Sequence, residues 1–263
     1  MLTSRQNPLV KQIRKLHHPK NRGEQQLFLL EGTHLLEAAC AAQWPLRTVC
    51  YTPQWQDKHA PLLSQICDLA QRIELVSLEV LQAIATTVQP DGVIATAQSA
   101  PHQPLPLKTL GLVLETVQDP GNLGTIIRTC AAAGAEGLLL SADSVDLEHP
   151  KVLRASAGQW FRLPMAVSSH LKSDILQYQV QGMEVIATHP NAPRNYWELD
   201  WRRPSLILFG NEGAGLSAEL LSLADQQVKI PLQGGVESLN VAITAALILY
   251  EAQRQRIHEA KYN

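Results

Sequence analysis

Long apolar runs are scarce in this 263-residue chain. The longest uncharged apolar stretch, "LNVAITAALILY" (Leu239–Tyr250), has 12 residues, too short to cross a bilayer, and it reads as a buried helix. The opening "MLTSRQNPLVKQIRK" lacks a signal peptide's apolar segment, so no secretory leader is expected. Metal-ligand patterns are missing as well. Cys40, Cys50, Cys67 and Cys130 form no CxxC pair, and no histidine cluster stands at ligand spacing. The four cysteines read as buried, reduced thiols of a cytosolic protein, and no metal site is expected. Acids are absent before Glu24, whereas Arg5, Lys11, Arg14, Lys15, Lys20 and Arg22 precede it, in a chain of net charge −2. A basic arm on an acidic body is what a phosphate-binding edge looks like, and a solvated helix face is the plainer alternative.

Nucleotide-loop patterns are also absent. "FGNEGAGLS" (Phe209–Ser217) joins an apolar strand to a helix start, yet it carries Glu212 where a P-loop carries lysine. Its Gly210, Gly213 and Gly215 do not follow GxGxxG, nor does "LETVQDPGNLG" supply that pattern after a first strand. This argues against a dinucleotide-dependent oxidoreductase.

What is present is an alternation of short strands with helices. "SRQNPLVKQIRKLHHP" has Leu9, Ile13 and Leu16 at helical spacing, with Ser4 as a possible cap. "QLFLLEG", "LRTVCYT", "IELVS" and "GVIATAQ" read as strands, separated by helical "HLLEAACAAQ", "PLLSQICDLAQR" and "LEVLQAIAT". "SAPHQPLPLK" (Ser99–Lys108) has three prolines and no apolar period, so a stiff linker and a boundary near residue 105 are expected there. A second α/β series follows: strands "LGLVLETV", "GLLLSA", "MEVIATH", "PSLILFG" and "QQVKIPL" among helices, ending in one long helix. Continuously apolar strands such as "LILF" point to a parallel sheet covered on both faces. Two α/β domains are thus expected, 1–104 and 105–263.

Three strand-to-helix junctions in the second half carry polar residues suited to chemistry. "DPGNLGTIIRTCAAAGA" (Asp119–Ala135) offers Asn122 in a turn and Arg128, the one charge between Asp119 and Glu136. A guanidinium there either snorkels at the surface or contacts a phosphate or carboxylate bidentately. "FGNEGAGLS" adds Glu212. "IPLQGGVESLNVAITAALILYE" (Ile230–Glu251) adds Ser238, a possible helix cap, and Asn240, an amide that needs partners within a first helical turn.

In this order and spacing the three segments resemble the SpoU (TrmH) family of RNA ribose 2′-O-methyltransferases, part of the SPOUT superfamily. The matching pieces are "NLGTIIRTCAAAGA", "LILFGNEGAGLS" and "IPLQGGVESLNVAITAALILYE", over roughly residues 110–255. "NPLVKQIRKL" and "FLLEGTHLLEAA" in the first hundred residues look like the family's RNA-recognition domain, a small α/β module resembling certain ribosomal proteins. The resemblance implies a C-terminal parallel-sheet methyltransferase domain with a deep trefoil knot, which strand patterning alone would never propose. It implies S-adenosylmethionine bound in the knot, a homodimer with sites near the subunit interface, and RNA as substrate, ribosomal RNA first and transfer RNA second. It places Asn122, Arg128, Glu212, Ser238 and Asn240 at the family's catalytic and structural polar positions. Thr188, Leu208, Gly210, Ile230 and Leu239 fall at cofactor-binding positions, and Arg5, Lys11, Arg14 and Lys15 at an RNA-binding edge. Ala242 and Leu232 depart mildly from the family's serine and methionine. "SAGQWF" (Ser156–Phe161) sets bulk where small residues are frequent, which is expected to reshape the substrate side. The rival within the same fold is a non-catalytic RNA-binding or ribosome-assembly protein, against which the intact polar set argues.

Overall fold

The computed structural model of the protein describes residues 1–99 and 105–260, with side chains through 257. These residues divide into two units, one of 1–99 with Asp146–Arg162 and one of 105–145 with 163–260. Of the expected linker Ser99–Lys108, residues 100–104 lie outside the described residues.

The first unit begins with helices α1 (Pro8–Lys15) and α2 (Pro19–Gln25), strand β1 (Leu27–Glu31), helix α3 (Thr33–Ala41) and strand β2 (Leu46–Tyr51). Helices α4 (Pro53–Lys58) and α5 (Ala60–Leu69), strand β3 (Ile73–Leu75), helix α6 (Leu78–Ile84) and strand β4 (Val93–Gln98) complete the run. The sheet order is β1-β4-β2-β3, with β4 antiparallel to both β1 and β2, and β3 parallel to β2. Asn7, not Ser4, caps α1: its side chain accepts the Leu9 amide and Pro8 follows. Proline has no amide hydrogen and fits only the first helical turn, so the helix cannot start three residues earlier. Val10 and Ile13 of α1, with Leu16 just after it, pack on Leu29, Cys50, Val80 and Ile94. The short helices α2 and α4 carry too little apolar period to be read from sequence. Among the cysteines, Cys40, Cys50 and Cys130 are buried but Cys67 is exposed, on the outer side of α5, which corrects the expectation of four buried thiols. Burial, aided by the nearby Glu74 charge, pushes the Cys50 thiol up to about 12.

The second unit contains β5 (Leu110–Leu114), α7 (Pro120–Ala133) and β6 (Gly137–Ser141). Helix α8 (Pro150–Ala155) follows in the chain, then β7 (Met165–Ser168), α9 (Leu171–Val180), β8 (Glu184–Thr188) and β9 (Arg194–Asn195). Strand β10 (Ser205–Phe209), helix α10 (Ala218–Leu223), strand β11 (Gln226–Lys229) and helix α11 (Val241–Ala260) close it. Its sheet order is β7-β6-β5-β10-β8-β11-β9 and every pairing is parallel. The central strands β5, β6 and β10 are buried along their whole length, as continuous apolar runs predict. The edge strands β7 and β9 are short and escaped the sequence reading. Helix α11 is not buried all round. Ala242, Ala245, Ile248, Leu249 and Ala252 are buried, while Ile243, Leu247 and Tyr250 are 51%, 37% and 50% exposed.

The segment Asp146–Arg162 lies in the chain between β6 and β7 but belongs to the first unit. Arg22 is 1% exposed, donates twice to Asp146 Oδ2 (2.9 and 2.5 Å), and donates to the Leu16 carbonyl at 2.9 Å. Arg22 is therefore withdrawn from the basic arm. Arg154 donates to Glu31 at 3.2 Å. The bulk of "SAGQWF" goes into an aromatic cluster: Trp160 sits 5.1 Å from Phe28 and 5.3 Å from Trp44, and Phe161 lies 5.6 Å from Trp44. Those rings pack against one another within the first unit.

Candidate functional site

In the second unit, β5, β8, β10 and β11 run parallel, and the loops beyond their carboxyl ends gather polar side chains. Open parallel sheets bind ligands at such ends. After β5, Asp119 Oδ1 accepts the amides of Gly121 (2.6 Å) and Asn122 (2.9 Å), which starts α7 with Pro120 in its first turn. This helix start aims Asn122 at the β10 loop.

The loop after β10 is tied off by Asn211. Its Oδ1 accepts the amides of Gly213 and Ala214 (2.9 Å each), and its Nδ2 donates to the Thr116 carbonyl at 2.8 Å. Asn211 and Gly215 exchange backbone hydrogen bonds of 3.0 and 2.9 Å. Gly210 is required for steric reasons. A Cβ there would stand 2.1 Å from the Gly215 carbonyl carbon and 2.2 Å from the Leu216 nitrogen. The loop then leads into α10, capped by Ser217, whose own amide donates to Glu115 at 2.7 Å.

Glu212 joins these loops. Its carboxylate accepts the amides of Gln118 and Asp119 at 3.1 Å each and the Asn122 side-chain amide at 3.0 Å. Asn122 Oδ1 accepts from Asn240 Nδ2 at 2.8 Å, and Asn240 Oδ1 accepts the amides of Ala242 (2.9 Å) and Ile243 (3.3 Å). A chain of hydrogen bonds thus runs from Glu212 through Asn122 and Asn240 to the start of α11. Partial burial pushes the Glu212 pKa up, but the bonds from Asn122, Asp119, its own amide and Gln118 outweigh it, and the net shift is downward. The carboxylate is therefore held ionised. Asn240, not Ser238, caps α11, since it is the residue directly before the first helical position.

A cavity of about 280 Å³ opens beside this chain. Thr188, Gly210, Glu212, Ile230, Ser238 and Leu239, all expected site residues, line it. Leu208 does not: its side chain is in the core, and its carbonyl accepts the Thr188 hydroxyl at 2.9 Å. Phe209, one residue on, takes the lining position. Strand alternation explains the difference, because successive side chains face opposite ways. Asn122 and Asn240 stand behind Glu212 and do not line the cavity. Arg128 is exposed on α7, outside the lining, and makes no hydrogen bond or ion pair among the described residues. His189, Lys229 and Glu237 also line the cavity and were missed. Only their adjacency to Thr188, Ile230 and Ser238 could have signalled them. In the first unit, Arg5, Lys11, Arg14 and Lys15 are all exposed, on or just before α1.

The lining combines apolar surface (Leu216, Ile230, Leu232, Val241, Ile248) with two carboxylates, Glu212 and Glu237. With Lys229 as its one ammonium group, the wall offers apolar surface for a flat ring and an excess of carboxylate for a cationic centre. Among the described residues no group of three His, Cys, Asp or Glu is placed to hold a metal ion, and no helix is long and apolar enough to cross a membrane.

Comparison with known proteins bears on both units. Residues 109–250 match the model of the SpoU rRNA Methylase family, and residues 7–95 match that of the MRM3-like substrate binding domain. An uncharacterized tRNA/rRNA methyltransferase of Synechocystis sp. is 49% identical over 97% of this chain and 94% of its own. The 23S rRNA (guanosine(2553)-2'-O)-methyltransferase RlmP of Bacillus subtilis is 32% identical over 95% of this chain and 97% of its own. The crystal structure of an AdoMet-bound rRNA methyltransferase from Sinorhizobium meliloti superposes with a TM-score of 0.85 at 33% identity, covering 96% of this chain and 97% of that one.

Proposed function

This chain belongs to the SpoU rRNA Methylase family, and on that premise we propose that it methylates a ribose 2′-hydroxyl of structured RNA, ribosomal RNA first. S-adenosylmethionine is the methyl donor, and when bound it supplies an electrophilic methyl on a sulfonium centre. The observation that carries the reading is the Glu212–Asn122–Asn240 chain, which locks three loops from distant parts of the sequence around one cavity.

Thr188, Gly210, Ile230 and Leu239 hold the cofactor in that cavity. The carboxylates of Glu212 and Glu237 favour its cationic centre, and Glu212 braces the loops. A ribose hydroxyl is a poor nucleophile, so the residues must align it and let its proton leave as attack proceeds. Arg128 engages the phosphate and ribose oxygen of the target nucleotide by its fork of donors. It does not act as base, because a guanidinium stays protonated at any working pH. The proton departs through phosphate or water. Ser238, in the cavity wall, orients the reacting groups.

The division of labour follows the two units: the first, with its exposed Arg5, Lys11, Arg14 and Lys15, grips RNA phosphates, and the second carries the chemistry, with a boundary near residue 105. Two copies form a homodimer through the exposed stripe Ile243, Leu247 and Tyr250, spaced four and three residues apart on one side of α11. The C-terminal segment forms the trefoil knot, and the protein works in the cytoplasm, where its RNA is. The test is a calorimetric titration with S-adenosylmethionine, paired with a map of 2′-O-methylation in total RNA with and without the protein. Binding and one lost methyl mark are expected. Absence of binding overturns the reading, and binding with an unchanged map leaves a non-catalytic RNA-binding protein.

A further inference from the structure

The first unit has a cavity of its own, of about 280 Å³, at the end of the sheet where β2 begins. Its floor is Leu27 with Thr48 and Thr96, two buried threonines paired across β2 and β4. One wall is α1, with Gln12 at the rim, and the other holds Arg47, Gln71 and Arg72. Two features separate it from an ordinary surface dent. The Oε1 of Gln25, which lines it, is buried with no hydrogen-bond partner among the described residues. Buried polar atoms are almost always paired, so such an oxygen is an acceptor waiting for a donor. The pairing of β2 with β4 also slips register between Leu46 and Thr48, which makes Arg47 the extra residue of a bulge. Bulges re-aim a side chain and recur beside binding sites.

The charges leave one cation uncommitted. Arg72 is held by Glu74 at 2.6 and 2.8 Å, and among the described residues no carboxylate lines the cavity. Arg47 donates to the Gln71 side-chain oxygen and has no ion pair among the described residues. Outside the rim, Lys11 and Lys15 flank Gln12 on exposed positions of α1, one turn apart. The arrangement is thus an unfilled acceptor, a guanidinium with no ion pair among the described residues and donors beyond the one given to Gln71, and amide side chains inside, with two ammonium groups outside.

We propose that this cavity holds one unstacked nucleobase of the substrate RNA by its lactam edge, the ring carbonyl beside a ring N–H that guanine and uracil share. The N–H donates to Gln25 Oε1, the carbonyl accepts from Arg47, and Lys11 and Lys15 take the flanking phosphates. Sequence-selective RNA binding targets splayed-out bases read on such edges, and adenine has no carbonyl to offer. The site is specificity-determining and not catalytic, and it rests on the reading of the protein as an RNA methyltransferase.

The test uses the full chain and four fluorescein-labelled single-stranded pentanucleotides, AAGAA, AAUAA, AACAA and AAAAA, with affinity read by anisotropy. AAGAA and AAUAA are expected to bind about tenfold tighter than AAAAA, the scale of one good bidentate contact. The preference should vanish in Gln25→Leu and in Arg47→Gln, while S-adenosylmethionine affinity stays that of the parent. Arg47 is exposed, so its variant is informative even where Gln25→Leu fails to fold. Equal affinity for all four probes, or a preference that survives Arg47→Gln, overturns the proposal. The cofactor titration on the same samples shows separately whether the methyltransferase reading stands.

Discussion

The two units use polar side chains in opposite ways. In the second, Glu212, Asn122 and Asn240 are linked in a chain across 90 and 118 residues of sequence, and the first turn of α7 is thereby tied both to the β10 loop and to the segment before α11. In the first, Arg5, Lys11, Arg14 and Lys15 stand exposed on one short segment, while the arginine that is locked in place, Arg22, is buried against Asp146. The contrast teaches where geometry matters. Methyl transfer needs reacting atoms aligned to a fraction of an ångström, so its loops are braced before substrate arrives. A grip on phosphate needs charge within a Debye length and tolerates mobile side chains.

The hardest blow to that contrast is Gly210→Ala. The added methyl meets the Gly215 backbone at 2.1 Å, and backbone cannot yield as a flexible side chain can. Loss of S-adenosylmethionine binding by calorimetry is expected, with a fall in Tm of about 5 °C or more. Wild-type binding would show that the loop is less constrained than its closed turn implies. Next comes Glu212→Ala, which frees Asn122 and two backbone amides at once. Turnover should fall about 10²-fold, the cost of a misplaced reacting geometry, while RNA affinity, read by anisotropy, stays within about twofold of the parent. A normal turnover number would remove both roles assigned to Glu212.

The same carboxylate sets a pH dependence. Its pKa in the folded protein is lowered from 4.5, so the stability it contributes is full above the unfolded value and is lost as pH falls through the folded one. Cofactor binding is therefore expected to be flat from neutrality down to about pH 5 and to decline only below the ordinary carboxylate range. A decline centred near pH 6 would contradict this. Arg128→Lys keeps charge but loses the fork, and a drop in turnover of about tenfold is expected with cofactor affinity unchanged. The smallest effect belongs to the first unit. Replacing Lys11 and Lys15 by alanine should weaken RNA binding severalfold and lower the slope of log affinity against log salt by about one for each lysine. An unchanged slope would mean that α1 does not face the RNA.

Much of the fold could be read from local pattern. The apolar strands of the second unit are continuous because both their faces are covered, and that signature is visible in "LGLVL" and "SLILF". Strands β7 and β9 were invisible, since four and two residues at a sheet edge carry too little pattern. Asn7 rather than Ser4 starts α1 because Pro8 dictates where a helix can begin.

What the sequence determined by itself is the set of residue types at each junction, the alternation that builds two α/β units, and the family these imply. Residue chemistry and backbone preference are local, so a linear text carries them. Which groups meet was decided by the tertiary structure alone. Glu212 gains its purpose only when β5 and β10 lie side by side and bring Gln118, Asp119 and Asn122 to its carboxylate. Arg22 leaves the charged edge only because Asp146, 124 residues away, arrives to pair with it. Hydrogen bonds and ion pairs act over about 3 Å, and no spacing along the chain reports that distance.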